Sequence, residues 1–158
     1  MRHFLAIAAA ALALPLTTYT ACRAAEPPIN LALVATATTS FVSGHESIHG
    51  LNSGFDPRNS NDKRHGAYGN WPEKGTQWVE YTWSKPIHTG RVDVYWFDDR
   101  RGVRLPKACR LLYDDGGKLV PVKNAKGLGL KENEYNATTF DDVHTKRLRL
   151  EKTAIART

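Results

Sequence analysis

Two adjacent carboxylates, Asp98 and Asp99, end an aromatic segment of the chain and are the first residues whose chemistry has to be weighed. Paired carboxylates cleave glycosidic bonds when both converge on one bond. Adjacent residues on an extended strand point to opposite faces, so these two do not readily converge. We expect one to cap the turn at Arg100 and the other to pair with Arg104. A small hydrolase using Asp98, Asp99 or Glu80 is the less favoured alternative.

Three histidines, His45, His49 and His65, raise the question of a metal site. His45 and His49 share the i, i+4 spacing of metal-binding pairs on helices, but Gly44 and Gly50 argue against a helix there. Beyond the first 25 residues the chain has the single cysteine Cys109, and no acidic cluster completes a ligand set. We therefore interpret all three as loop histidines without a metal role. The sequence also contains no Gly-x-Ser-x-Gly nucleophile motif and no phosphate-binding loop.

The segment 43–76 interrupts an otherwise regular pattern of short apolar runs. It is polar and rich in glycine, and it carries Tyr68 and Trp71 together with the three histidines. A loop of this length is uncommon in a compact domain and is often functional. Any binding site of this chain is therefore expected to involve this loop.

The remaining elements read as β-strands. Their apolar runs are short, rich in β-branched and aromatic residues, and separated by Gly, Pro, Asn and Asp. In one of them Val92, Val94 and Trp96 alternate with polar and aromatic residues, as on a strand with two different faces. The run 114–117, Asp-Asp-Gly-Gly, predicts a tight hairpin. The candidate strands, which together predict an all-β antiparallel β-sandwich, are 31–37, 77–84, 90–98, 109–113, 119–123, 137–140 and 146–152.

The first 25 residues have the order of a secretory signal peptide: a basic start, a short Ala/Leu-rich run and small residues before Ala25. The apolar run is too short to span a membrane. We predict cleavage after Ala24 or Ala25, a linker over 26–29 and one domain over 30–158. The protein is therefore expected to be secreted or periplasmic. In the alternative interpretation Cys22 is acylated and anchors a surface lipoprotein.

The net charge and the number of cysteines narrow the class of protein further. The formal net charge of the whole chain is +6, and removal of Arg2 and Arg23 with the signal peptide lowers it by two. The remaining basic residues are spread evenly, which excludes a nucleic-acid-binding stripe. Only Cys109 would remain after cleavage, so no intramolecular disulfide is expected despite export.

Several short motifs occur in a characteristic order along 30–151. They are Asn30-Leu31-Ala32, Leu51-Asn52-Ser53-Gly54, Trp71-Pro72, Gly75-Thr76-Gln77-Trp78-Val79-Glu80-Tyr81, Tyr95-Trp96-Phe97-Asp98-Asp99, Leu105-Pro106, Leu112-Tyr113, Asn136-Ala137-Thr138-Thr139-Phe140 and Thr145-Lys146-Arg147-Leu148-Arg149-Leu150-Glu151. Together they resemble the galactose-binding-like, discoidin-type (coagulation factor 5/8 type C) domain, in the version appended to exported bacterial glycoside hydrolases. The resemblance implies a jelly-roll-like, non-catalytic sandwich that takes ligands with loops at one end.

The resemblance also implies a ligand class, the terminal sugars of glycans. On this basis we predict that Trp71 and Tyr68 stack on a sugar ring, since exposed aromatic rings pack on its C–H face. His65, Asp98 and Arg100 are the predicted partners of the sugar hydroxyls. Trp71, which precedes a proline, equally fits a packed loop anchor. The strand aromatics Trp78, Tyr81, Trp83 and Trp96 are expected to pack in the core.

The chain departs from the resemblance at three places. Ser53 stands where relatives carry an aspartate near a structural calcium ion, which leaves Asp56 and Glu151 as candidate calcium ligands and no other cofactor implied. Cys109 occupies a position that relatives commonly fill with a core tryptophan. The chain ends soon after Glu151, where relatives add a strand beside the first, so the sandwich is expected to lack its last strand.

We therefore expect a non-catalytic carbohydrate-binding module that grips a glycan terminus, with a glycoside hydrolase as its partner. The alternative is a truncated or detached accessory domain of a glycoside hydrolase, with a structural role and no ligand of its own.

Overall fold

The computed structural model describes residues 29–62, 64–100 and 103–154. The predicted signal peptide, Cys22 and all of the linker except Ile29 lie outside these residues. Within the described ranges no helix combines the length and hydropathy that crossing a bilayer requires.

Nearly all regular structure is antiparallel β. The strands are β1 (Thr36–Thr39), β2 (Thr76–Tyr95), β3 (Ala108–Asp115), β4 (Lys118–Pro121) and β5 (Tyr135–Thr153). Their order in the sheet is β1-β2-β5-β3-β4, and every neighbouring pair is antiparallel. Short 3₁₀ helices cover Leu31–Val34 and Ile48–Leu51. The predicted all-β sandwich class is confirmed.

Two long strands replace four of the predicted ones. Segments 77–84 and 90–95 belong to the single strand β2, which ends before residues 96–98 of the second prediction, and segments 137–140 and 146–152 belong to β5. The sequence prediction was wrong here because Pro86 and Gly90 look like strand breaks. The pairing of β2 with β5 instead continues past them, with register shifts between Thr82 and Ile87 and between Thr89 and Arg91. Such irregularities bend strands without ending them, and the sheet curls over itself.

The start of the first predicted strand was also wrong. Residues Leu31–Val34 form a 3₁₀ helix, and β1 begins only at Thr36. The side chain of Asn30 accepts a hydrogen bond from the backbone N–H of Ala32 at 3.1 Å, and such side-chain capping favours a helical turn over extended chain.

The hydrophobic core lies inside the curled sheet. Trp83 is buried there, and its indole N–H donates to the carbonyl of Leu31 at 2.9 Å. Trp96 is buried as well and donates to the carbonyl of Gly129 at 3.0 Å. Both indoles therefore pack in the interior, as the sequence predicts, with their polar atoms satisfied. The central cluster consists of Ala35, Trp83, Leu111, Phe140, Val143 and Leu148.

The hairpin predicted at 114–117 joins β3 to β4. Gly116 and Gly117 have φ angles of 61° and 94°, and Asp115 pairs with Lys118 across the turn. Two successive positive φ angles match the right-handed twist of the flanking strands and favour glycine. Strands β1 and β4 form the two edges of the described sheet. Because 155–158 lie outside the described residues, the lack of a last strand stays a prediction.

Candidate binding site

The segment that follows β2 is held by the two aspartates. Asp98 accepts a hydrogen bond from the backbone N–H of Arg100 at 2.7 Å and from that of Leu105 at 3.3 Å. Asp99 accepts from the N–H of Val103 at 2.9 Å. Asp98 also lies 3.8 Å from the guanidinium of Arg104. Both aspartates therefore shape the turn, and Asp98 makes both of the contacts that the sequence prediction divides between the two residues.

The long loop reaches this turn through Ser60. Its hydroxyl accepts a hydrogen bond from the N–H of Asp98 at 2.8 Å and donates to the side-chain oxygen of Asn133 at 2.8 Å. The N–H of Ser60 donates to the same oxygen at 2.6 Å. Ser60 thus links the long loop, the turn after β2 and the turn before β5.

The turn before β5 is built around a buried amide. The side chain of Asn136 donates to the carbonyls of Lys131 and Glu134 at 2.8 and 3.0 Å, and its oxygen accepts from the N–H of Lys131 at 2.9 Å. This fixes the turn that carries Glu132, whose carboxylate lies 2.7 Å from the guanidinium of Arg100. The ion pair connects the two turns at the surface.

These three segments border an open polar cleft of about 230 Å³. The exposed side chains of Asn59, Asn61 and Arg100 supply hydrogen-bond donors, and the carboxylate of Glu132 supplies an acceptor. The volume accommodates about seven water molecules, which is the scale of one small polar ligand. The cleft is lined by Asn59, Ser60, Asn61, Asp98, Asp99, Arg100, Glu132 and Asn133.

A cluster of aromatic rings lies where the end of β2 pairs with the start of β5, two residues after Asn133 of the cleft. Tyr95 packs against Phe97 at 5.1 Å between ring centroids and edge-on against Tyr135 at 5.3 Å. Tyr135 is 51% exposed, so one face of this cluster meets solvent. The hydroxyl of Tyr95 is buried and has no hydrogen-bond partner in the described part of the chain. Burial raises the pKa of Tyr95, which therefore stays protonated as a donor.

His65 makes its ring contact within the long loop. Its ring stacks on Phe55 at 4.1 Å between centroids. Burial raises the pKa of Tyr95, and the negative charge of Asp56, the residue after Phe55, raises it further. This part of the loop therefore acts on the aromatic cluster. The neighbouring Arg64 pairs with Asp62 at 2.6 Å, and its hydrogen bond holds the pKa of that carboxyl well below the usual range. His65 itself is exposed.

Tyr68 is a loop anchor in this structure. Its hydroxyl lies 2.5 Å from the hydroxyl of Thr39 and donates to the carbonyl of Phe41 at 3.2 Å. The ammonium group of Lys152 lies 4.8 Å from the centre of the Tyr68 ring. Burial raises the pKa of Tyr68 and lowers that of Lys152 to about 8. Because the ring is already covered by Lys152, Tyr68 offers little free surface for stacking.

Trp71 is 54% exposed, and its ring lies 6.3 Å from that of His45. The peptide bond between Trp71 and Pro72 is cis, and the turn carries a hydrogen bond from Glu73 to Asn70 of 2.9 Å. Trp71 precedes the first residue of β2, whereas Asp98 and Arg100 follow its last residue. Trp71 is not among the residues that line the cleft, whereas Asp98 and Arg100 are; that these three residues share one sugar-binding rim stays a prediction.

The two candidate calcium ligands lie beside opposite ends of the β2–β5 pair. Asp56 acts electrostatically on Tyr95 and Tyr135, which pair with each other at one end. Glu151 pairs with Trp78 near the other end, and its carboxylate lies 2.6 Å from Arg110. The described residues thus do not fit a calcium ion held by Asp56 and Glu151, and they contain no group of three or more His, Cys, Asp and Glu residues able to hold a metal.

Sequence reasoning missed the residues that complete the cleft. Ser60 and Asn133 are far apart in the chain, and neither belongs to a recognised motif. Tyr135 lies in the polar run 131–136, and the residues before it in this run do not predict a strand. The asparagines of this run were the available signal, since Asn residues favour turns that need left-handed backbone. Asn133 does adopt a φ of 61°.

Comparison with known proteins identifies structural neighbours only. No family model matches the chain, and no curated protein matches it. A chain of the Streptococcus pneumoniae beta-galactosidase BgaA superposes with a TM-score of 0.68 and 18% identity, over 77% of this chain and 84% of that one. Chitosan-binding module 1 of a chitosanase/glucanase from Paenibacillus sp. IK-5 superposes with a TM-score of 0.57 and 17% identity, over 80% of this chain and 88% of that one.

A third neighbour is the family 32 carbohydrate-binding module of C. perfringens NanJ, whose structure was solved with galactose. It superposes with a TM-score of 0.58 and 14% identity, over 79% of this chain and 85% of that module. At these identities the comparisons establish the fold. The resemblance to galactose-binding-like sandwiches inferred from the sequence is therefore confirmed at the level of architecture.

Proposed function

We propose that the protein is a non-catalytic carbohydrate-binding module that holds one terminal sugar residue of a glycan in the cleft between the turns after β2 and before β5. The observation that carries this proposal is the polar cleft of about 230 Å³, with the half-exposed Tyr135 only two residues beyond Asn133 of its lining. Donors and acceptors suit the hydroxyls of a sugar, and an exposed aromatic ring suits its C–H face. Three similar structures are parts of carbohydrate-active proteins, which supports this ligand class.

The carboxylates of the chain support a role without catalysis. Asp98 and Asp99 accept hydrogen bonds from the backbone of their own turn. Glu80 is buried and lies 2.8 Å from the guanidinium of Arg149. A general acid or base needs a proton that it can exchange with substrate, and these groups are committed to structural contacts. The hydrolase alternative would require these carboxylates to give up contacts that shape the fold.

The proposed setting is the cell exterior, beside a glycoside hydrolase. The N-terminal segment has the order of a signal peptide, and a similar structure comes from the beta-galactosidase BgaA. A small polar ligand buries little apolar surface, and each of its hydrogen bonds replaces one to water. Binding by the isolated module is therefore weak, and its use is to keep an attached or associated enzyme near its substrate.

The test is a glycan array followed by calorimetry with the best ligand. We expect saturable binding that is lost in Asn61→Ala and Tyr135→Ala, because one removes a cleft donor and the other the stacking ring. Trp71→Ala is the matched control, an equally exposed aromatic near the opposite end of β2. Each variant is first compared with the native chain by thermal unfolding.

Three results would decide against this proposal. Loss of binding in Trp71→Ala alone would move the site to the Trp71 and His45 surface. A folded native chain that binds nothing across the array would favour the accessory domain without a ligand. Turnover of a chromogenic glycoside that disappears in Asp98→Ala would restore the hydrolase alternative.

A further inference from the structure

His88 and His144 face each other across β2 and β5, away from the cleft. They are direct cross-strand partners in the register, and their rings stack with 4.2 Å between centroids and 12° between planes. Both side chains are exposed. Neither residue belongs to the core cluster or lines the cleft of the proposed glycan site.

Two exposed imidazoles on opposing strands are a chelating pair. Imidazole nitrogen binds Cu²⁺, Ni²⁺ and Zn²⁺ well, whereas Ca²⁺ and Mg²⁺ prefer oxygen. Two nitrogens that bind one ion at about 2.0–2.1 Å lie about 3 Å apart. The stacked rings have centroids 4.2 Å apart and are nearly parallel, so both must tilt until their nitrogens converge on the ion. Because both side chains are exposed, rotation about their own bonds achieves this without moving the strands.

The surroundings leave the remaining coordination positions to water. Asp142 and Lys146 lie on the same face of β5 as His144, two residues before and after it, and both are exposed. The carboxylate of Asp142 lies over Gly90. Since no group of three candidate ligands occurs among the described residues, the protein would supply two ligands. This favours an ion that accepts two imidazoles and several waters over a closed tetrahedral site.

The position of the pair gives such an ion a structural effect. His88 lies in the short paired stretch between the two register shifts of β2, where the sheet bends. An ion that binds both rings ties β2 to β5 at this bend. Because the unfolded chain does not hold the two histidines together, the ion binds the folded state preferentially and stabilises it.

We propose that His88 and His144 form a surface site for a divalent transition metal ion of the Cu²⁺, Ni²⁺ and Zn²⁺ class, which links the two long strands at the bend of the sheet. The proposal is independent of the glycan site, with which it shares no residue.

The test uses the chain without a polyhistidine tag and titrates it with CuCl₂ and, separately, NiCl₂ in a calorimeter. We expect one saturable site, weakened by about tenfold or more in His88→Asn and in His144→Asn because each loses one of two nitrogen ligands. His49→Asn is the matched control, since His49 is also exposed but no histidine ring of the described residues stacks on it. It should bind both ions like the native chain.

A second measurement guards against variants that fail to fold. Thermal unfolding without metal should give similar midpoints for all variants, because the two rings lie at the surface. Added Cu²⁺ should raise the midpoint of the native chain and of His49→Asn, but not of the double variant His88→Asn/His144→Asn. The proposal is overturned if neither ion gives saturable binding, or if the double variant binds and is stabilised as the native chain is.

Discussion

Ser60 and Asn133 hold the candidate cleft together although 73 positions separate them. The N–H and the hydroxyl of Ser60 both donate to the side-chain oxygen of Asn133, at 2.6 and 2.8 Å. Ser60 is buried, and Asn133 has a φ of 61°, a conformation that Asn and Gly adopt at low cost. One asparagine thus provides both the shape of its turn and the acceptor for the long loop.

Asn133→Gly keeps the backbone conformation and removes the acceptor. We expect it to lower the free energy of unfolding by about 1–3 kcal/mol, because two buried donors of Ser60 lose their partner. Urea denaturation measures this. Asn124→Gly is the control: Asn124 also has a positive φ, of 53°, but its side chain bonds to Asp141 at the surface. An equal loss in both variants would show that glycine itself, and not the lost acceptor, is responsible.

Arg149→Met should destabilise the fold strongly. Arg149 lies 2.8 Å from the buried carboxylate of Glu80, and its guanidinium stacks over Trp78 at 4.3 Å from the ring centroid. Removing it leaves a buried negative charge without a partner, which costs about 3 kcal/mol or more. Glu80→Gln in the same chain should recover part of the loss, as chemical denaturation of the double variant would show.

The exposed pair of Arg91 and Asp93, 3.0 Å apart, is the control for this prediction. Asp93→Asn should change stability by less than about 1 kcal/mol, because water screens charges at the surface. If Arg149→Met proved as mild as Asp93→Asn, the buried pair would not be important for the fold.

Gly127→Ala should destabilise the turn that leads to β5. Gly127 has a φ of 108°, and an added methyl group would collide with the backbone carbonyl of Ala137. Neither the strained angle nor the clash with main chain is relieved by rotating a side chain, so we expect a loss of about 2 kcal/mol or more. Gly44→Ala, where an added methyl group meets nothing within 4 Å, should be nearly neutral. Similar melting temperatures for the two variants would contradict this prediction.

Stability should rise with pH in the mildly alkaline range because of Lys152. Burial lowers its pKa to about 8 in the folded chain, below the ordinary value of 10.5. Between these two values the unfolded state holds the proton and the folded state has released it, so raising the pH favours folding. From pH 7 to about pH 9 the gain is about 1 kcal/mol.

The measurement compares the native chain with Lys152→Met by urea denaturation at several pH values. The variant should lack the rise. The free energy of unfolding of the native chain should therefore increase relative to that of Lys152→Met as pH increases. Burial raises the pKa of Cys109 and raises that of Tyr81 to about 12, which opposes the gain at higher pH in both proteins and cancels in the difference. Parallel pH profiles would refute the assignment to Lys152.

Local sequence signals predicted the features that depend on local geometry. The glycines at 116 and 117 formed the expected hairpin because a tight turn needs positive φ angles whatever surrounds it. Asp98 capped its turn because the amide that it bonds lies two residues away. The sequence was wrong to predict strand breaks at Pro86 and Gly90. Pairing with β5, which is not a local property, carries β2 through residues that would end an isolated strand.

The sequence by itself determined the sandwich class, the burial of Trp83 and Trp96 and the presence of a long polar loop, since alternation and turn residues act over a few positions. It was wrong for Trp78, which is only half-buried and lies under the guanidinium of Arg149. Only the tertiary structure decided where the cleft lies, because Ser60, Asp98 and Asn133 meet through the path of the loop across the bent sheet. It also left Trp71 out of the lining of the cleft and placed His88 against His144. Such contacts depend on strand register and curvature, which are properties of the whole sheet rather than of any one segment.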